Sequence, residues 1–445
     1  MNAVRERAPY ERLRSPAPLL PRRVPSGRRA MEQPNARGDG DARLTATFWV
    51  ALVVTGMLAG LAGLAMAAVL HAVQGLAGEG PTPAHRLVAL LVGGLATAVA
   101  MQAVRRWTGD GHDLDEAVWA GTGRVPFFRS VGTGTVSEIA VGSGASLGQE
   151  GAPKVLGAAG GALLSRWLRL DDSQRRVLVA CGAGAGMGAI YNVPLGGALV
   201  TAELLLGSLA LPSILPSLLC SGLATLTTWL VVGNHTTYTG LGHLEATTGL
   251  VVWSLLLGPL LGLLGVGLVR AVGRASHFQL RGRATLLSVP LAFLLLGLCA
   301  VPLPALLGNG RSIAGTAFAG THVALATLVA TVLLKPALTL LCLWSGSPGG
   351  LFTPMLSTGA ALGLLAGELT GMPLAACAVI GAAALSGATM QAPVAATVLV
   401  IELTGSTQPL LLPVLLATAT ATLVTRYVDG YSVFSARLPA VPQAG

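Results

Sequence analysis

The chain has 445 residues, 53% of them hydrophobic and only 11% charged, with a formal net charge of +9. A soluble domain carries roughly 25% charged residues, so this composition excludes an ordinary water-soluble protein. The positive balance does not point to nucleic acid either, because ten Arg and five acids lie within residues 1–43, ahead of the apolar part of the chain.

That first segment also holds Pro9, Pro16, Pro18, Pro21, Pro25 and Pro34. It cannot bury enough apolar surface to order itself and is expected to be a disordered basic arm. Its Arg content just before the first apolar run predicts a cytoplasmic N-terminus in a plasma-membrane protein. It lacks the apolar stretch of a signal peptide. Uncharged runs follow at 44–78, 87–104, 246–269, 284–310, 312–334, 336–367, 369–401 and 403–425. Each is close to or above the roughly 20 residues that span a bilayer as helix. The short alternating segments of a β-barrel are absent, so the predicted class is an all-α polytopic membrane protein.

Along the first half, two glycine-bearing turns stand before predicted helices: Gly109-Asp110-Gly111-His112-Asp113 and Gly148-Gln149-Glu150-Gly151-Ala152. Backbone N–H groups at helix starts carry a partial positive charge of about half a unit and approach an anion closely when side chains are small. Glu150 is the most informative residue, because no charge occurs at 139–149 and an ionisable group in such surroundings is kept mainly where it acts. Its bland reading is a helix cap in water. Lys154, one helical turn on, reads either as pore electrostatics or as a Lys reaching to the interface. The glycine strings at 142–148 and 182–188 look like nucleotide loops, but no strand precedes them, and close helix packing is the better account.

The two halves echo each other. Asn192-Val193-Pro194-Leu195-Gly196-Gly197 leads to Glu203-Leu204, and Gln391-Ala392-Pro393-Val394-Ala395-Ala396 leads to Glu402-Leu403. An amide residue, a Pro two on and an acid eleven on recur in one order. The second half also holds Ser345-Gly346-Ser347-Pro348-Gly349-Gly350-Leu351-Phe352-Thr353-Pro354, which cannot run as helix through its Gly and Pro. Broken helices in matched halves are the trace of a transporter built from two repeats, with its site at mid-membrane. The expected division is a tail at 1–43, a first membrane repeat at 44–210, a second at 211–440 and a short tail at 441–445. Cys181, Cys220, Cys299, Cys342 and Cys377 stand singly in apolar segments and read as packing residues. No CxxC or HExxH spacing exists, so no metal or other cofactor is expected.

These motifs resemble the ClC chloride channel and chloride/proton antiporter family. Gly148–Ala152 is similar to its G-[KR]-E-G-P motif, the 345–356 string to its G-x-F-x-P signature with flanks, and the Asn192 and Gln391 strings to its paired helix starts. The resemblance runs from about 44 to 438. It implies two inverted repeats of tilted, broken helices, a homodimer with one pore per subunit, and chloride or another small anion held by helix N-termini. It implies a form without the nucleotide-sensing C-terminal domain pair of many relatives. Glu150 matches the family's gating glutamate, and Leu351 and Phe352 match positions whose backbone N–H groups face the anion. The anion-binding set implied is Asp110, Gly111, Gly148, Gln149, Gly151, Gly350, Leu351, Phe352 and Phe434.

Four residues depart from the family pattern. Asp110 stands where the family has an anion-binding Ser. Phe434 stands for its central Tyr, with Tyr431 near. Gln149 replaces the basic residue before the glutamate. Glu203 matches a family acid, placing it with Glu150 on an expected proton pathway, but Leu204 stands at the internal proton-transfer glutamate. Leu cannot carry a proton, so channel-like chloride transport is the leading expectation. An antiporter with another proton route and a fluoride exporter are the alternatives within the family. An organic-solute transporter lacks a visible cluster of polar readers. A membrane enzyme would need a base near Glu150, and His112 is the sole candidate.

Overall fold

The computed structural model describes residues 44–77, 82–109, 114–119, 123–239, 241, 245–406 and 408–438. The expected arm at 1–43 and tail at 441–445 lie outside the described residues, as do Asp110, Gly111 and His112. Among the described residues there are sixteen α-helices and no strand. The first eight are α1 (Ala46–Ala77), α2 (Pro83–Thr108), α3 (Leu114–Trp119), α4 (Phe127–Gly142), α5 (Gly151–Trp167), α6 (Asp172–Tyr191), α7 (Pro194–Leu199) and α8 (Leu211–Val232). The second eight are α9 (Thr248–His277), α10 (Thr285–Ala300), α11 (Arg311–Phe318), α12 (Leu325–Ser345), α13 (Phe352–Thr370), α14 (Leu374–Met390), α15 (Pro393–Thr404) and α16 (Leu411–Val428).

Seven helices among the described residues are long and apolar enough to cross a membrane. Large apolar side chains such as Leu61, Leu95, Leu256 and Leu287 face outward on them. An exposed apolar surface of that extent is a lipid-contact surface. Inside this ring, α5, α6, α13 and α14 are made largely of Gly, Ala and other small residues, and most of α6 and α14 is buried.

The packing repeats. In the first set α5 packs on α6, and α8 packs on α1 and α6. In the second, α13 packs on α14, and α16 packs on α9 and α14. By packing, α8 goes with the first set. The closest approaches repeat too. A Cβ on Gly157 or Gly182 would overlap the carbonyl of the other, and Gly359 and Gly381 stand in the same relation between α13 and α14. Small residues let backbones meet this closely where lipid supplies no hydrophobic drive between helices.

The amide-x-Pro motif is a helix stop and restart. Asn192 and Gln391 end α6 and α14 in the left-handed conformation, at φ 57° and 60°. Pro194 and Pro393 then open α7 and α15, where the missing N–H costs nothing. Each motif's acid reaches the other motif's helix start. Val394 and Ala395 N–H donate to Glu203 Oε1 and Oε2 at 3.3 and 2.6 Å. Leu195 and Gly196 N–H donate to Glu402 Oε1 and Oε2 at 3.1 and 2.6 Å. The two segments thus lie head to tail, which is the inversion the family resemblance implies.

Candidate functional site

The site forms where the Gly-rich turns of the two repeats meet. Gly148 N–H donates to Gly350 O at 2.7 Å, and Gly350 N–H donates to Gly148 O at 2.8 Å. This antiparallel bridge brings the starts of α5 and α13 side by side. A Cβ on either glycine would displace the Glu150 carboxylate from this position.

Glu150 is the N-cap residue of α5 and is 4% exposed. Its side chain makes no cap bond to its own helix, so the reading of a solvent-exposed cap does not hold. The carboxylate crosses to the start of α13. Phe352 N–H donates to Oε1 at 2.7 Å, and the Thr353 hydroxyl donates to Oε2 at 2.8 Å. The Tyr191 hydroxyl donates to Oε2 at 2.9 Å and also meets Thr353 Oγ1. Donors to an ionised acceptor form the stronger class of hydrogen bond. A helix N-terminus adds its dipole. The start of α13 therefore offers its donors to an acidic side chain of the protein itself.

A cavity of about 240 Å³ opens beside Glu150. Gly151, Gly350, Leu351, Phe352, Lys154, Leu204 and Phe434 line it, together with Arg105, Arg129 and Arg437. Among the described lining residues, Arg105, Arg129, Lys154 and Arg437 are cationic and Glu150 is acidic. Lys154 is 8% exposed, with Nζ 4.4 Å from the Phe434 ring centroid. It is buried over an aromatic face. Phe434 thus offers a ring where a hydroxyl was absent from the sequence.

Gln149, Tyr431 and Glu203 stand apart from this cavity. Gln149 is buried and accepts from Asn309 Nδ2 at 3.0 Å. Tyr431 packs in a neighbouring apolar cluster, and Glu203 is occupied at the start of α15. Asp110 and Gly111 lie outside the described residues, although the guanidinium of Arg129 donates to the carbonyl of Gly109 just before them. The sequence reading missed Tyr191 and Thr353. Both sit inside strings already singled out, next to Asn192 and Phe352, and a hydroxyl beside a conspicuous motif was the available signal.

The family described as voltage gated chloride channel matches this chain over residues 113–426. The chain belongs to that family. A putative chloride channel protein, ClcB-like, from Ralstonia nicotianae is 32% identical over 370 residues, covering 79% of this chain and 85% of its own length. The voltage-gated ClC-type chloride channel ClcB of Escherichia coli O81 is 31% identical over 374 residues, covering 79% and 87%. Among solved structures, a slow cyanobacterial chloride/proton antiporter superposes with a TM-score of 0.78 at 24% identity, covering 88% of this chain and 97% of that one. A CLC-type fluoride/proton antiporter gives 0.72 at 20% identity with the same coverage. These likenesses establish the ClC fold. The protein is a multi-pass membrane member of a family of anion channels and transporters.

Proposed function

We propose that this ClC protein carries chloride across the plasma membrane in a channel-like manner, with Glu150 as a proton-sensitive gate. The observation that carries the reading is the Glu150 carboxylate seated on Phe352 N–H. An ionised side chain there competes with chloride for the same donor, and protonation removes its advantage. The proposed anion-binding groups are the backbone around Gly148, Gln149, Gly151, Gly350, Leu351 and Phe352, with Phe434 and Lys154 setting the potential below them. Asp110 and Gly111 complete the set by the family resemblance. Weak backbone donors suit conduction, since the ion must leave as readily as it enters. Leu204 lines the cavity where a proton-transfer acid would serve an exchanger, and this favours the channel-like reading. A homodimer with its N-terminus in the cytoplasm belongs to the same proposal, supported by the family resemblance and the Arg-rich first segment.

The test is anion efflux from proteoliposomes with simultaneous proton recording. Chloride flux should exceed fluoride flux, and a chloride gradient should drive little uphill proton movement. Robust uphill proton movement would instead establish an antiporter, and a dominant fluoride flux a fluoride exporter.

Tyr191→Phe probes the latch on the gate. The substitution removes one of three donors to the carboxylate, each worth about 1.5–3 kcal/mol when the acceptor is charged. Chloride flux at neutral pH should rise by about tenfold, because the side chain then holds its seat less firmly. Flux at wild-type level in the folded variant would show that the hydroxyl does not hold the gate.

A further inference from the structure

A second carboxyl lies buried near Glu150 and takes no part in the site described so far. Glu138 sits in α4, is 0% exposed, and neither of its oxygens has a hydrogen-bond partner. It is the sole acid between 117 and 149. Its place on the helix is set by its neighbours. One turn before it, Gly134 packs against Ala152 and Leu156 of α5, and one turn after it, Gly142 packs against Leu70 and Val73 of α1. Glu138 thus lies on the face of α4 turned towards α1 and α5.

The helices packed on α4 carry His71 on α1, His85, Arg86, Arg105 and Arg106 on α2, and Lys154 and Arg166 on α5. None of them hydrogen-bonds to Glu138. Gly134, one turn before Glu138, meets Ala152, two residues past Glu150. The adjoining Ser137 hydroxyl is also buried and unpartnered, lies beside Gly151 and lines the cavity. Ser130 and Thr133 line the cavity from the same face of α4, spaced at one helical turn. Three hydroxyl side chains of α4 thus line the cavity that Glu150 also lines.

An isolated carboxylate without donors is far costlier to bury than the neutral acid. We propose that Glu138 is the proton store of the Glu150 gate, serving from α4 where Leu204 cannot. The proton leaves a Glu138 oxygen, which becomes the carboxylate, and binds a Glu150 oxygen, which becomes the acid and gives up the Phe352 N–H to chloride. Glu138 regains its proton from the cavity side, where the adjoining Ser137 forms part of the wall. This rests on the reading of Glu150 as the gate.

The test is the rate at which chloride flux responds to a rapid acid jump in proteoliposomes. Glu138→Gln should slow that response by about tenfold or more, the scale on which a positioned proton-transfer group acts, and Glu138→Asp should restore most of it. A Glu138→Gln response within about twofold of wild type overturns the proposal, since a positioned group is worth far more. The Glu150→Gln protein separates the two ideas. If its flux still follows pH, the gate reading fails, whatever Glu138 does. A second measurement does not depend on substituting Glu138. Infrared spectra of Glu150→Gln protein at neutral pH should retain the carbonyl band of a buried protonated carboxyl. Absence of that band also overturns the proposal.

Discussion

Glu150→Gln protein should pass chloride at a rate that varies less than about twofold between pH 5 and pH 8, because its gate no longer has an ionised form to stabilise. The wild-type carboxylate collects Phe352 N–H, the Thr353 hydroxyl and the Tyr191 hydroxyl. Acid weakens that hold, so wild-type flux should rise as pH falls. An amide stays neutral throughout, and its neutral hydrogen bonds are worth about 1 kcal/mol each rather than about 1.5–3 kcal/mol. The variant should therefore run near the acid limit of the wild type even at neutral pH. The shape of the side chain is kept, so the bridge between Gly148 and Gly350 should persist. Chloride efflux recorded across the pH series decides the matter. A profile identical to wild type would remove Glu150 from any gating role.

Glu402→Ala and Glu203→Ala should each destabilise the protein by about 3 kcal/mol or more, through the loss of two charge-assisted hydrogen bonds apiece. Each carboxylate satisfies two amides at the start of a helix from the opposite repeat. In a bilayer no water replaces a lost acceptor, so the uncapped amides of Leu195 and Gly196, or of Val394 and Ala395, stay unsatisfied. The two losses should be alike, since the geometry is nearly the same on both sides. Gln at either position retains an acceptor and should fall between Ala and wild type. Thermal unfolding in detergent measures this, and Ala variants that melt with the wild type would refute the capping role. The same pair speaks to the proton route. If Glu203 serves as a cap and not as a proton carrier, Glu203→Ala should leave the pH response of flux no more altered than Glu402→Ala does.

Much of this protein follows from local chemistry. Uncharged runs of span length dictate membrane helices, because a bilayer core leaves the backbone no other partner. Asn192 and Gln391 followed by Pro194 and Pro393 dictate where helices stop and restart, since those residue types accept left-handed and N-terminal backbone positions. The recurrence of that pattern with its trailing acid marks the two repeats in the sequence itself. Glu150 stood out because a charge in apolar surroundings is expensive.

Tertiary structure decided what each group touches. Phe352 and Thr353 lie 202 and 203 residues from Glu150 along the chain, and no spacing rule links them to it. Tyr191 and Lys154 acquire partners only when α6, α5 and the segment around Phe434 assemble. Glu203 and Leu204 are neighbours in sequence, yet one caps α15 and the other lines the cavity. Successive residues on a helix point about 100° apart, so the packing of the helix, not its sequence, selects which side chain meets the ion path.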